Sequence, residues 1–311
     1  MKREKNVEAD TKMDPLMKVI KAVHSVTAEQ STHKQLLKQR KNTELFSKLV
    51  TPTIGVSVDK FDIDEIACEQ ITPSFPHRTD CIILYCHGGG YTCGELNYAR
   101  VLAAKMAVHT GLEVFSFAYR LAPEHPFPAA LEDAEAVWQF LMLKGYGSKQ
   151  IILAGDSAGG NFALELCLNM VKRECFLPKG LILISPWTDM TATSPSYETY
   201  GASDPILSEE YVHLIRKSYV GEEVDYKNPI YSPLYADTKT FAEFPPTLIQ
   251  VGSHEILRGD SERLAKKLRK AHCQVKLEIY RGGWHVFQQM PIHKATLALQ
   301  SIHDFVVDVL G

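Results

Sequence analysis

A serine set between glycines, GDSAGG at residues 155–160, follows the apolar run IILA and precedes a helical pattern. In a strand–turn–helix setting, a G-x-S-x-G sequence allows a tight and strained turn. The glycines remove side chains that would collide, and the serine is presented at the carboxyl edge of a sheet. The helix that follows aims its first amides at whatever is bound to that serine. Ser157 is therefore the candidate nucleophile, and acyl transfer is the chemistry it suits. A second run, HGGGY at 87–91, also comes directly after a strand-like segment. Three consecutive glycines cost backbone entropy, and their use is to point unobstructed N–H groups into a site. Acyl transfer needs such donors where an oxyanion develops. The amides of Gly89, Gly90 and Ala158 are expected to fill that role, with Gly88 in support. His87, at a strand end ahead of the glycines, is expected to be a structural hydrogen-bonding residue and not the base. Further on, VGSHEILRGD at 251–260 follows the apolar PPTLIQV and contains His254, Glu255 and Asp260. Locally, nothing chooses between these three titratable groups.

The elements that must hold these residues alternate along the chain. IILYCH (82–87), EVFSFAY (113–119), IILAG (151–155), GLILIS (180–185), PTLIQV (246–251) and VKLEIY (275–280) are short apolar or β-branched runs separated by helical patterns. Such alternation implies a mostly parallel sheet covered on both faces. Residues 186–235 break the rhythm: they are rich in Ser, Thr, Tyr and Pro, with one helix expected around 208–219 and no strand. An insertion of that length between core strands covers something at the carboxyl edge of the sheet. Residues 1–50 carry helical periodicity, as in DPLMKVIKAVHSV and TELFSKLV, and HKATLALQSIHDFVVDVL reads as a closing helix.

Bulk properties exclude several classes of function. The 311 residues are 45% hydrophobic and 23% charged, with a formal net charge of −3, which gives no electrostatic case for nucleic acid or an anionic membrane as partner. No apolar run reaches the roughly 18 residues of a membrane span. The opening MKREKNVEADTKMD lacks the apolar core of a signal peptide. Seven cysteines without C-x-x-C spacing are expected to be reduced thiols, and the expected location is cytoplasmic.

Five motifs then occur in one order: HGGG, YRLAPEHPFPAALEDA (119–134), GDSAGG, SPWTD (185–189) and GWHVF (283–287). Together they resemble the hormone-sensitive-lipase-like esterases of the α/β-hydrolase superfamily. The resemblance spans roughly residues 80–311 and is weak over 1–60. It implies an α/β-hydrolase fold with a mostly parallel eight-stranded sheet, helices on both faces and a small helical cap. Residues 1–50 would be an N-terminal helical cap segment, and 51–311 the catalytic domain with a cap insertion at about 190–235. The family's base is a histidine in a glycine-flanked loop after the last strand, the position of His285 in RGGWHVF. The acid must then fall between Ser157 and His285, and the family's aspartate, followed by Pro-Leu, aligns with Glu255, leaving Ile256 where proline is usual. Glutamate can serve in such triads. Asp260 is the alternative acid and is otherwise expected to cap the next helix, with His254 a loop residue. Asp156, Tyr119 and Arg120 are expected to be architectural. Tyr91 is expected to line the substrate pocket, and Trp187 and Asp189, at the start of the insertion, either to shape it or simply to pack.

The function implied is a serine carboxylesterase acting on short-chain, acetyl-type esters of small molecules, with neither metal nor organic cofactor. Two alternatives stay open. One is another acyl hydrolase such as an amidase, a formamidase or a true lipase. The other is a non-catalytic small-molecule receptor, which would be expected to have lost part of the triad. A homodimer through the VKLEIY edge is compatible with the resemblance.

Overall fold

Eight strands form one sheet in this computed structural model, which describes residue 13 and residues 15–28, 33–50 and 54–311. They are β1 (Val56–Ile63), β2 (Ile66–Pro73), β3 (Arg78–Cys86), β4 (Leu112–Phe117), β5 (Ile151–Asp156), β6 (Gly180–Ile184), β7 (Thr247–Gly252) and β8 (Val275–Tyr280). Their spatial order is β1-β2-β4-β3-β5-β6-β7-β8. The six strands from β3 to β8 run parallel, the inner ones near-continuously apolar as burial on both faces requires and the edge strand β8 alternating in exposure. β1 and β2 form an antiparallel hairpin that pairs with β4 and had no clear signature in the sequence. β1, VSVDKFDI, mixes charge with apolar residues because it is an edge strand: only Ile63 in it is buried.

The helices are α1 (Pro15–Ala28), α2 (His33–Val50), α3 (Leu96–Thr110), α4 (Ala129–Leu143), α5 (Ala158–Lys172), α6 (Pro195–Tyr200), α7 (Glu209–Val220), α8 (Arg258–Lys270) and α9 (His293–Leu310). Alternate residues of each strand point to opposite faces. Ile83, Tyr85, Val114, Ile152 and Ile182 meet α3 and α9 on one face. Leu84, Phe115, Leu153, Leu183 and Ile249 meet α4, α5 and α8 on the other. Each such fully buried aliphatic side chain contributes about 1.5–3 kcal/mol, which makes the sheet a rigid platform for the loops at its carboxyl edge.

The sequence between β6 and β7 holds α6, α7 and two 3₁₀ turns, Pro233–Tyr235 and Thr238–Glu243, so the helix expected at 208–219 is α7. The helix after Glu255 starts earlier than expected. α8 begins at Arg258 with Leu257 in the N-cap position, and Asp260 lies inside its first turn. Asp260 is therefore not the helix cap. Its buried carboxyl group instead accepts the amides of Thr188 (2.9 Å) and Asp189 (3.0 Å), in the loop that follows β6. The first dozen residues and the expected boundary at 50–51 lie outside the described residues or at their edge. No helix among the described residues is long and apolar enough to cross a membrane, and all seven cysteines are unpaired.

Candidate active site

Ser157 stands between the end of β5 and the start of α5 at φ 55° and ψ −121°. That backbone conformation costs a non-glycine residue on the order of 1–3 kcal/mol and is retained because the surroundings leave no alternative. A Cβ on Gly155 would lie 2.1 Å from the carbonyl oxygen of Gly159, and one on Gly159 would lie 2.1 Å from that of Cys86. The glycines of the motif are thus required for strand and helix to close on one another. The Ser157 amide donates to Ile184 O, and its carbonyl accepts the Trp187 amide, so β6 braces the turn from the far side.

The HGGG loop is tied to this turn by Asp156. Its carboxylate accepts the Gly88 amide (2.8 Å) and the hydroxyls of Tyr85 (2.5 Å) and Tyr98 (3.1 Å). Gly88 therefore spends its N–H on the scaffold. Gly89 (φ 107°) and Gly90 (φ 63°) follow in the left-handed region, and the Gly89 carbonyl accepts the amides of Thr92 and Cys93. Ala158, the first residue of α5, has an amide that precedes the helix's own i→i−4 bonds. His87 is fully buried and stacked on Tyr119 at 4.2 Å, and its ring nitrogen donates to Gly88 O. Burial lowers its pKa to about 4, so it stays neutral and structural.

The last two strands bring the other two groups. β7 ends in Gly252, where a Cβ would lie 2.5 Å from Gly283, so the loop bearing Glu255 and the loop bearing His285 abut. His254 N donates to Gly283 O and Ser253 N to Tyr280 O, which stitches the two together. His285 Nε2 lies 2.9 Å from Ser157 Oγ. On its other side, His285 Nδ1 is 3.8 Å from Glu255 Oε1, about 1 Å longer than a charge-assisted hydrogen bond. The second oxygen of Glu255 is anchored by Ser185 Oγ (3.0 Å) and the Gly252 amide (3.1 Å). Burial alone would lower the His285 pKa, but the carboxylates of Glu255, Asp204 and Asp156 outweigh it and hold it above the ordinary value of 6.5.

The structure thus brings Ser157, His285 and Glu255 into one line and keeps Asp260 apart from it, bound to Thr188 and Asp189. Two expected pocket residues sit deeper than the sequence suggested. Tyr91 has no solvent exposure: it stacks on Tyr219 of α7 at 3.6 Å and its hydroxyl donates to buried Glu165, so it supports the glycine loop from beneath instead of forming an open pocket wall. Trp187 is also buried, with its backbone holding Ser157. Asp189 pairs with Arg263 (2.6 Å), and Arg120 pairs with Asp133. Two further residues reach the site. Ser185, the serine of SPWTD, touches both the acid and the histidine loop, since its Oγ also accepts the Val286 amide. Asp204, from the insertion, places a second carboxylate near His285.

The sequence matches the α/β-hydrolase fold family over residues 83–289. An esterase from Acinetobacter venetianus is 38% identical over 230 residues, which cover 73% of this chain and 75% of that protein. An acetyl-hydrolase from Streptomyces hygroscopicus is 34% identical over 205 residues, 66% of this chain and 67% of its own length. The crystal structure of an esterase from the bacterial hormone-sensitive lipase family superposes with a TM-score of 0.87 at 30% identity, over 96% of this chain and 100% of that one. A nucleophile elbow, a glycine loop and a histidine loop on this sheet, together with these likenesses, mean that the chain belongs to the α/β-hydrolase fold family and, within it, to the hormone-sensitive-lipase-like esterases.

Proposed function

We propose that the protein is a serine carboxylesterase that hydrolyses short-chain, acetyl-type esters through an acyl-enzyme, with Ser157, His285 and Glu255 as its triad. The observation that carries this reading is the 2.9 Å approach of Ser157 Oγ to His285 Nε2, with the Glu255 carboxylate behind the ring. His285 takes the serine proton as the hydroxyl attacks the ester carbonyl, and Glu255 stabilises the imidazolium that forms. The amides of Gly89, Gly90 and Ala158 receive the developing oxyanion, each such donor contributing roughly 2.7–4 kcal/mol. His285 then protonates the leaving alcohol. Water, deprotonated by the same histidine, releases the acid and restores Ser157.

In this reading α1, α2 and the segment at about 190–235 form the cap over the site. Two features favour a small acyl group. Ser157 and His285 are only 8% and 7% exposed. Ile215 of α7 also packs so closely on Gly90 that a Cβ there would lie 2.7 Å from its Cδ1. The acetyl-hydrolase relative points the same way. The test is hydrolysis of p-nitrophenyl esters from acetate to long acyl chains by wild type and Ser157→Ala. Wild type is expected to favour the shortest esters, and the variant to lose turnover by about a millionfold, the order seen when a serine nucleophile is removed. An active Ser157→Ala protein would overturn the nucleophile, and activity rising steadily with chain length would overturn the short-acyl preference.

A further inference from the structure

Ile256, the residue after Glu255, is gripped on both of its backbone polar groups by the insertion. Its amide donates to Asp204 Oδ2 at 2.9 Å, and its carbonyl accepts the hydroxyl of Ser196 in α6. Asp204 lies between α6 and α7 and is 2% exposed. Its other oxygen accepts the amides of Ile206 and Leu207, both at 2.9 Å. Three amides therefore hold this carboxylate, and among the described residues it forms no ion pair. A buried carboxylate is costly unless it is fully hydrogen-bonded, so this one is retained against a penalty. The cation whose field reaches it is His285. In return, the carboxylates that act on His285 come from three elements: Glu255 after β7, Asp156 at the end of β5, and Asp204 from the insertion.

The sequence supplies a reason for the contact. Where an aspartate acid is followed by proline, that residue has no N–H to give. This chain has Ile256 there and so has a donor next to its acid, and Asp204 takes it. We propose that Asp204 is a positioning residue for ester hydrolysis. By holding the Ile256 amide beside Glu255, it fixes the glutamate loop, and its charge supports the imidazolium, so that the triad is complete only when the inserted segment is seated. The proposal rests on the reading of Glu255 and His285 given above. It deepens that reading by making the insertion part of the triad's support. Burial raises the Asp204 carboxyl to about 6, so its charge is fully present only in the neutral and alkaline range, where a histidine base works.

The experiment compares Asp204→Asn, Ile256→Pro and Glu255→Gln with wild type on p-nitrophenyl acetate across pH. Asp204→Asn removes the charge and turns one acceptor into a donor. It is expected to lower kcat by about 10- to 100-fold with KM nearly unchanged, the scale of a misplaced catalytic group. Its kcat/KM profile should also move its acid limb to lower pH, because an imidazolium that loses an anionic neighbour gives up its proton more readily. Ile256→Pro removes the bond but leaves the charge, so kcat should fall without that displacement. If Asp204→Asn does not fold, the kcat of Ile256→Pro decides: a fall supports the bond, and a wild-type value overturns it. An Asp204→Asn protein that melts earlier but keeps kcat and its pH profile would show a merely structural aspartate and overturn the proposal. Glu255→Gln separates the two claims. Its inactivity beside an unaffected Asp204→Asn leaves the triad standing and removes Asp204 from it, whereas an active Glu255→Gln removes the triad acid itself and the proposal with it.

Discussion

In the proposed triad, glutamate stands where the family's aspartate is usual, one methylene longer, and Ser185 holds its second oxygen. This residue sits at φ 47°, donates its hydroxyl to Glu255 Oε2 and accepts the Val286 amide, so one side chain sets the spacing between acid and base. Replacing it with glycine gives two opposing effects. Relief of the left-handed backbone returns about 1–3 kcal/mol, while the lost hydrogen bond to a buried carboxylate costs about 1.5–3 kcal/mol and the Val286 amide left without its acceptor about 1–3 kcal/mol. The melting temperature of Ser185→Gly should therefore fall by less than the two lost bonds alone would cause, while kcat falls about tenfold through lost alignment. Unchanged kcat would make the serine incidental. The same carboxylate environment governs pH. Attack by Ser157 requires neutral His285, whose pKa is held above 6.5, so kcat/KM should rise along an acid limb centred above pH 6.5. A limb centred below that value would mean that burial, and not the three carboxylates, dominates the ring. Ser157 and His285 were readable because each lies in a short glycine-rich motif. Ser185 was not, because its partners lie 70 and 101 residues away and only folding brings them together.

At the scale of elements, the inner parallel strands and their covering helices were legible from apolar periodicity, since strands such as β5, β6 and β7 are buried on both faces. The β1–β2 hairpin escaped because an edge pair must carry charge on its open side. The start of α8 was misplaced because Asp260 resembles a cap in sequence, while its carboxylate is used by the amides of Thr188 and Asp189. α7 was predicted as a helix, but its register over the glycine loop was not. That register places Ile215 on Gly90 and Tyr219 on Tyr91. In the proposed reading this packing limits acyl length. Ile215→Val removes Cδ1, the atom nearest to Gly90, at a cost of only about 0.5–1.5 kcal/mol. It should raise kcat/KM for p-nitrophenyl butyrate relative to acetate by about threefold or more, since one methylene in an apolar pocket is worth 10-fold or more at best. An unchanged ratio would place the acyl chain away from α7.

Across the whole molecule, the two flanks of the site are held by helices that precede the sheet in sequence. Met17 of α1 packs with Trp284 and Phe287, the neighbours of His285. Lys21 donates to Ala202 O, close to Asp204. Arg40 of α2 reaches the glycine loop: its guanidinium donates to Thr92 O (2.6 Å) and Ala122 O (2.7 Å) and forms a two-point pair with Glu124. The helical periodicity of residues 15–50 was visible in the sequence, but an amphipathic pattern does not say which surface it will cover, and the family resemblance was weak there. Arg40 provides a test of whether α2 sets the loop or merely rests on it. Arg40→Ala removes the donor from the Thr92 and Ala122 carbonyls and one ion-pair partner from Glu124, and should cost about 1–3 kcal/mol of stability. Because Thr92 and Gly89 share one tight turn, the loosened loop should also lower kcat, by about tenfold, the lower part of the range for losing one oxyanion donor outright being about a hundredfold. Arg40→Lys keeps the charge but lacks the planar fork, so it can serve one carbonyl and not both, and its activity should fall between the two. Thermal melts and p-nitrophenyl acetate kinetics of the three proteins give the result. Loss of stability with kcat intact would confine α2 to packing, and full recovery by lysine would show that charge near the loop matters and the two-carbonyl grip does not.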